Sequence, residues 1–189
     1  MKRLILASGS PRRKELLKEL GHDFEVIPSN ADETLDLNNP IKEEIEKLSF
    51  KKALSVFKNN KDAIVIGSDT VVVRNNIVYG KPKDKNDAIN IIKSLNNGDH
   101  QVITAVTILS KDMSETFSTE TTVTFGFMSD EEIQEYASND SILDKAGAYA
   151  IQEDSKKNIK SINGDYYSIM GLPVYELNKR LKKYYEKWN

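Results

Sequence analysis

The stretch Ala63-Ile64-Val65-Ile66-Gly67-Ser68-Asp69-Thr70-Val71-Val72-Val73 decides the fold class. Its first four residues are apolar without alternation, the pattern of a strand buried on both faces. Such strands belong to sheets covered by helices. Ser68-Asp69-Thr70 stands between two apolar runs, so the pattern predicts an interruption of the strand there. A carboxylate among apolar strand residues is costly unless it is paired, bound to a metal or placed at a strand end facing a cleft. Ligand sites in α/β sheets gather at the carboxyl ends of strands. Asp69 is therefore a candidate metal ligand or general base. The plainer alternative is a turn aspartate making its own Asx hydrogen bond.

Working outward, the flanking segments supply matching elements. Arg3-Leu4-Ile5-Leu6-Ala7 reads as a short buried strand. It runs into Ser8-Gly9-Ser10-Pro11, a tight loop and helix start with Ser10 as N-cap and Pro11 at the first helical position. Leu16, Leu17 and Leu20 give that helix its apolar face, and Gly21 stops it. Residues 23–28 alternate like a strand, and an acidic loop follows through Asp32, Glu33 and Asp36. Residues 41–57 read as a helix with Ile45, Leu48, Ala53, Leu54 and Phe57 inward. Downstream, Arg74-Asn75-Asn76-Ile77 looks like a hairpin turn. A Gly80-Lys81-Pro82 turn precedes a helix over 84–95. Long strands rich in Thr, Val, Ile and Phe follow over 101–109 and 115–127. Ser129 caps a helix reaching Ala137, with acids in its first turn. Residues 144–153 are irregular, 157–162 form a strand, and 175–188 form a Lys-rich amphipathic helix. Alternating strands and helices, plus adjacent long strands, indicate an α/β protein with a mixed sheet flanked by helices.

Composition excludes several classes. A chain of 189 residues buries roughly 70% of its unfolded surface, enough for a single domain over residues 1–189, with two lobes as one arrangement. The apolar 39% comes in blocks, unlike a disordered chain. The 27 basic and 29 acidic residues leave a net charge of −2, so no stable nucleic-acid partner is expected. The absence of cysteine rules out a disulfide scaffold, a zinc finger, an iron–sulfur protein and a cysteine enzyme. His22 and His100 lie too far apart in sequence to form a metal-ligand motif. No apolar run approaches the roughly 18 residues of a membrane span, and the N-terminus has no signal-peptide core. A soluble cytoplasmic protein is the expectation. Tyr184, Tyr185 and Trp188, read as exposed on the last helix, permit a homodimer contact.

Several segments carry chemistry. Ser8-Gly9-Ser10-Pro11-Arg12-Arg13 joins hydroxyls, a glycine and free backbone N–H groups at a helix start, the makings of an anion pocket. The positive end of the helix dipole disfavours cations in a first turn. Yet two of the chain's five arginines stand there side by side. Arginine presents a planar fork that matches phosphate oxygens, and a bound phosphate would reverse the dipole penalty. The bland reading is a solvated first turn whose arginines pair with nearby Glu. Neither the GxxxxGK[ST] nor the GxGxxG fingerprint is present, which argues against an ordinary P-loop ATPase or Rossmann dehydrogenase. Asp32-Glu33 is by itself a solvated loop. With Asp69 it could supply oxygen ligands to Mg²⁺ or Mn²⁺, the ions expected when Cys is absent and His unclustered. Lys81, between Gly80 and Pro82, and Lys52, on the preceding helix, could each reach a phosphate or simply be surface. In residues 144–152 small residues let backbones approach closely, and Gln152 can read a base edge. The alternative there is a packed structural loop. Residues 163–173, with Tyr166-Tyr167, suggest a packed corner. His100 reads as a satisfied structural histidine.

Taken together these segments resemble one family. Ser-Gly-Ser-Pro-Arg-Arg at 8–13, Gly-Ser-Asp-Thr-Val-Val at 67–72, Gly-Lys-Pro at 80–82, His-Gln-Val-Ile-Thr-Ala-Val at 100–106, Asp-Lys-Ala-Gly-Ala-Tyr at 144–149 and Gly-Asp-Tyr-Tyr-Ser-Ile-Met-Gly-Leu-Pro at 164–173 look like the Maf family. These are septum-formation-inhibitor-like nucleoside triphosphate pyrophosphatases, and within them the chain is similar to the branch acting on dTTP and UTP. The resemblance implies an inosine-triphosphatase-like fold, with a long mixed sheet, flanking helices and two lobes around a deep cleft. It implies hydrolysis of a nucleoside triphosphate, standard or modified, to the monophosphate and pyrophosphate with a divalent metal. By the same resemblance Asp69 matches the catalytic acid, while Arg12, Thr70 and Gln152 match the substrate-specificity positions. Glu33, Lys52 and Lys81 match other polar site residues, and Ser8, Ser10 and Arg13 belong to the signature loop. One departure stands out: the family reads Ala-Tyr-Gly-Ile-Gln-Gly where this chain has Ala148-Tyr149-Ala150-Ile151-Gln152-Glu153. If either family glycine needs a positive φ, Ala150 or Glu153 carries strain.

The combined expectation is a triphosphate clamped by residues 8–13, Lys52 and Lys81. Glu33 and Asp69 would hold the Mg²⁺ or Mn²⁺, and Asp69 would activate the attacking water. Thr70 and Gln152 would help select the base. The competing class is a non-enzymatic regulator of cell division that binds a nucleotide or a protein without turnover. A purine-directed housecleaning pyrophosphatase is the enzymatic alternative.

Overall fold

The strand that carries Asp69 is not broken. In the computed structural model, which describes residues 3–151 and 158–186, β3 runs continuously from Ile64 to Arg74. The expected interruption at Ser68-Asp69-Thr70 does not occur, because each polar group there remains in extended backbone. The chain divides into two compact units. One comprises Met1–Asp69, Thr104–Thr119 and Met170–Asn189, the other Thr70–Ile103 and Glu120–Ile169.

In the first unit, β1 (Leu4–Leu6) lies between β2 (Glu25–Val26) and β3 and is parallel to both. Leu4, Ile5 and Leu6 pair with Ile64, Val65 and Ile66, and all six are buried. Their unalternating apolar pattern thus reflects cover on both faces. Of the expected strand over 23–28, only Glu25–Val26 joins the sheet, and both are exposed. Helix α1 (Pro11–Glu19) starts as its residues dictate: the Ser10 hydroxyl accepts from the Arg13 N–H, and Pro11 opens the first turn. Helix α2 (Ile41–Phe57) presses directly on β3. A Cβ at Gly67 would lie 2.3 Å from the Ser49 carbonyl oxygen and 2.6 Å from the Ala53 nitrogen, so only glycine leaves room for the helix backbone. Ile5, Ala7, Ala53, Val56, Ala63, Val65 and Leu109 pack into one cluster around that contact.

Two long strands, β5 (Asp99–Leu109) and β6 (Ser114–Phe125), each contribute one end to the first unit. Thr107 links them with α2 through hydroxyl contacts of 2.8 Å to both Ser49 and Thr116. Helix α6 (Val174–Glu186) closes this unit. Tyr184 on it is fully buried, its hydroxyl donating to the Ile108 carbonyl at 2.8 Å. This corrects the expectation of an exposed Tyr184 at a dimer contact. Tyr185 is half-buried against His22, and Trp188 lies outside the described residues.

In the second unit the end of β3 turns into β4 (Ile77–Tyr79) through Asn75 and Asn76, with φ of 51° and 62°, the twist a two-residue hairpin needs. Helix α3 (Lys85–Leu95) is capped by Asp84, and α4 (Asp130–Ala137) by a capping box of Ser129 and Glu132. Arg74 donates to the Ser94 and Asn96 carbonyls, answering the C-terminal end of α3. Strand β7 (Ile159–Asn163) runs antiparallel to β6. Short turns of 3₁₀ helix occupy Asp140–Ile142 and Ala146–Ala148, and a one-turn α5 covers Tyr166–Ile169. Val72, Ile92, Leu95, Val102, Val123 and Phe125 are central to this unit's core. The strand order of the whole is β2-β1-β3-β5-β6-β7, with β4 on β3. Parallel β1–β3 and antiparallel β3–β4 pairs make the sheet mixed, as expected.

Substituting Gly67 by Ala should force α2 off β3 and cost about 1–3 kcal/mol in urea unfolding. Gly80→Ala, where an added Cβ meets nothing within 4 Å, should leave the midpoint in place.

Candidate functional site

Asp69 keeps its place in β3 because α2 brings it a partner. The Lys52 ammonium donates to Asp69 Oδ1 at 2.5 Å and lies 3.0 Å from Glu33 Oε1. The Lys52 side chain is 8% exposed, that of Asp69 14% and that of Glu33 63%. The Lys52–Asp69 bond is therefore the stronger, largely desolvated one, and Glu33 adds a partly screened charge. Glu33 rides on a loop tied to α2 by the 2.9 Å contact between the Ser29 and Ser55 hydroxyls. Its neighbour Asp32 accepts from the backbone N–H and hydroxyl of Thr34, which holds its carboxyl below the usual range. Asp32 is thus the Asx-turn aspartate, and Asp69 is not.

The Ser8–Arg13 loop belongs to the same unit. Ser8 is 8% exposed, and its hydroxyl oxygen accepts from the Ser10 N–H at 3.2 Å and from Arg13 Nη1 at 3.4 Å. Arg13 Nε donates to the Gly171 carbonyl at 2.8 Å. Arg12 and Ser10 are half-buried. Burial holds the Arg13 guanidinium below the ordinary arginine range; Asp69 and Glu33 oppose that shift and Arg12 adds to it. The charges of the loop and of the Lys52 cluster therefore act on each other. Sequence reasoning missed Ser68 and Gly171: the fully buried Ser68 hydroxyl donates to the same Gly171 carbonyl at 3.0 Å. The available signals were a hydroxyl inside an apolar strand and a glycine two residues before a proline.

Thr70 and Lys81 fall in the second unit, Thr70 half-buried and Lys81 exposed on its turn. That turn is fastened to the 146–151 segment by the Gly147 N–H donating to the Gly80 carbonyl at 3.0 Å. Ala150 does not have a positive φ; Ala148 does, at 57°. Strain in this segment therefore sits at Ala148, two residues before the position singled out. Gln152 and Glu153 lie outside the described residues. His100 is fully buried, with Nε2 2.8 Å from the Tyr149 hydroxyl and Phe125 edge-on at 4.8 Å. Its Nδ1 has no partner, so the histidine is structural but only half satisfied. Burial, aided by the Arg74 charge and opposed by Asp99, pushes it down from 6.5 to about 4.

Among the described residues no three His, Asp or Glu side chains gather as a metal cluster. The pair that does converge, Glu33 and Asp69, fits a hard ion of the Mg²⁺ type, which takes one or two protein carboxylates and fills its shell with water and phosphate oxygens. No described helix is long and apolar enough to cross a membrane.

Fold and site thus define a mixed α/β protein with a lysine-bridged carboxylate pair and an arginine-rich helix-start loop in one unit. Residues 3–184 match the profile of the Maf-like protein family. The chain belongs to that family. It is 42% identical over 184 residues to a Bacillus anthracis protein named dTTP/UTP pyrophosphatase, covering 97% of this chain and 96% of that one. It is 41% identical to a Bacillus cereus protein of the same name, covering 97% of this chain and 91% of the relative. The solved structure of the Staphylococcus aureus Ham1 protein aligns over 66% of this chain and 72% of that chain, at 14% identity and a TM-score of 0.45.

Two outcomes follow for stability. Replacing Lys52 by Met leaves Asp69 without its donor and should cost about 1–3 kcal/mol in urea unfolding, whereas Glu33→Gln should cost under about 1 kcal/mol. His100 stays neutral in the folded state until about pH 4, while an unfolded histidine protonates near 6.5. Its contribution is present above pH 6.5 and lost as the pH falls, by about 2 kcal/mol at pH 5. His100→Gln should flatten the stability profile between pH 6.5 and 5.

Proposed function

We propose that this protein is a nucleoside triphosphate pyrophosphatase that hydrolyses dTTP and UTP to the monophosphate and pyrophosphate. The observation that carries the reading is the Lys52 ammonium between Glu33 and Asp69, in the same unit as the Ser8–Arg13 loop. Relatives named dTTP/UTP pyrophosphatase at 41–42% identity over 97% of the chain support the activity and the pyrimidine substrates. We place the enzyme in the cytoplasm, where nucleoside triphosphates are made and used.

In this reading the hydroxyls of Ser8 and Ser10, the N–H groups at the start of α1 and the Arg12 guanidinium bind triphosphate oxygens. Lys81 is assigned to the phosphates as well, on the family resemblance of its Gly80-Lys81-Pro82 turn. Lys52 holds the Asp69 carboxylate in place through its 2.5 Å hydrogen bond. The Asp69 carboxylate accepts a proton from a water whose oxygen attacks the α-phosphorus. The α-phosphorus–oxygen bond to the β-phosphate breaks, and pyrophosphate leaves with the electron pair. Glu33 and Asp69 would hold a Mg²⁺ or Mn²⁺ ion, which when bound neutralises phosphate charge and polarises the reacting phosphoryl group. Thr70 and Gln152 are assigned to base selection. Most of the rate gain comes from positioning and charge neutralisation.

The test is pyrophosphate release from a panel of nucleoside triphosphates with Mg²⁺ or Mn²⁺. dTTP and UTP should be turned over in preference to ATP and GTP. Asp69→Asn should keep the circular dichroism spectrum of the parent and lose at least about 100-fold in kcat. Turnover by that variant near the parent rate removes the role given to Asp69, and a parent inert on the whole panel removes the function.

A further inference from the structure

We propose that Arg13 is a positioning residue rather than a triphosphate ligand: together with Ser68 it grips the Gly171 carbonyl and so fixes the Ser8–Ser10 loop in register with Asp69. This inference rests on the pyrophosphatase reading for the part it plays in turnover.

The argument starts from one acceptor. A carbonyl oxygen has two lone pairs. At Gly171 they meet Arg13 Nε at 2.8 Å and the Ser68 hydroxyl at 3.0 Å. The same guanidinium turns Nη1 toward the Ser8 hydroxyl at 3.4 Å, and that hydroxyl also accepts the Ser10 N–H. Arg13 thus spans two points, one on the loop ahead of α1 and one on the segment leading into α6. Ser68 connects the second point to β3, one residue before Asp69. Loop, strand and helix entrance are pinned through a single peptide oxygen.

Three features suit this role. Arg13 Nε and Nη1 each direct a hydrogen at a protein oxygen, so the side-on Nε–Nη2 edge that would meet two phosphate oxygens in parallel is already engaged at Gly171. A lysine in this place could offer only a point donor, which accounts for arginine in a chain that otherwise favours lysine. Gly171 has a φ of 108°, where side chains are rarely tolerated, and a Cβ there would come within 3.1 Å of Arg13 Nε. The backbone at residue 171 is therefore shaped around the guanidinium. Arg12, its neighbour in the first turn, makes the comparison: the proposed phosphate-side arginine one residue away.

The experiment measures kcat and KM for dTTP and, by calorimetry, binding of inorganic pyrophosphate with Mg²⁺, for Arg13→Lys, Arg13→Met, Ser68→Ala and Arg12→Met. Arg13→Lys keeps the charge but loses the two-point grip. The expected result is a fall in kcat of about tenfold or more in both Arg13 variants alike, with KM and pyrophosphate affinity within about twofold of the parent. Ser68→Ala, which keeps every cation, should lower kcat in the same direction with the same unchanged affinity. Arg12→Met should lose pyrophosphate affinity. Rescue of kcat by Lys at position 13, or a tenfold loss of pyrophosphate affinity in Arg13→Met, overturns the proposal. If the Arg13 variants do not fold, Ser68→Ala decides: parental kcat overturns, and reduced kcat with parental affinity supports. If the parent binds pyrophosphate but hydrolyses nothing, the proposed function falls, and the affinity of Arg13→Met still judges the assignment of Arg13.

Discussion

The Lys52 ammonium has been taken almost entirely out of water, and much of the first unit is arranged around that charge. A desolvated ammonium costs several kcal/mol unless opposite charge meets it at hydrogen-bond distance. Asp69 meets it at 2.5 Å and Glu33 at 3.0 Å. Each of those placements makes a demand elsewhere. Asp69 can face α2 only if the helix lies against β3, and that approach requires Gly67 to have no side chain. Glu33 can reach Lys52 only from a loop held to the same helix, which the Ser29–Ser55 contact provides. The apolar cluster from Ile5 to Leu109 supplies the burial that sets α2 in place. The polar cluster is then oriented by packing and does not itself need to stabilise the fold.

This arrangement also explains why two carboxylates can converge on one point without repelling each other apart. Lys52 sits between them and neutralises about one of their two charges. The remaining negative charge is what a divalent ion with phosphate oxygens in its shell would meet. The Ser8–Arg13 loop brings the opposite sign: Arg13 feels both Asp69 and Glu33. Anionic and cationic groups are thus held close in one unit, each kept from collapsing onto the other by its own partners. For the two carboxylates that partner is Lys52, and for Arg13 the partners are the Ser8 hydroxyl and the Gly171 carbonyl.

What was legible in the sequence was what local chemistry decides. Ser10 and Pro11 start α1, Asp84 and Ser129 cap α3 and α4, and the Asn75-Asn76 pair makes its turn, because each signal lies within four residues of its effect. The continuity of β3 was not legible. Whether Ser68-Asp69-Thr70 breaks a strand depends on partners at Lys52 and Gly171, 17 and 103 residues away. The same holds for Tyr184, which looks like a surface aromatic on a Lys-rich helix until the Ile108 carbonyl is seen to receive its hydroxyl. Residues 25–26 show the reverse case, in which an alternating pattern over six residues yields only two paired ones, both solvent-exposed. For the candidate site, residue types were readable from motifs, whereas the partner of Arg13, the Gly171 carbonyl, lies 158 residues away.

The departure at Ala150 can be settled on the same physical terms. Glycine is required only where φ is positive or where a Cβ meets another atom, and Ala150 does not have a positive φ. Its N–H donates to the Tyr136 hydroxyl at 3.2 Å, and Tyr149 beside it is clasped by His100. The turn is made earlier, at Gly147 and Ala148, with φ of 72° and 57°. For alanine that conformation costs about 1–2 kcal/mol, and it persists only where neighbours over-determine it. Here they do. The Gly147 N–H is bonded to Gly80, the Ala148 N–H to Lys145, and Ala148 itself is fully buried. A Cβ at Gly147 would strike Val72 at 2.7 Å, so the glycine that cannot be spared is Gly147. Alanine at 150 is then a substitution that the backbone accepts. The segment keeps its shape through its hydrogen bonds, and with it the turn that carries Lys81.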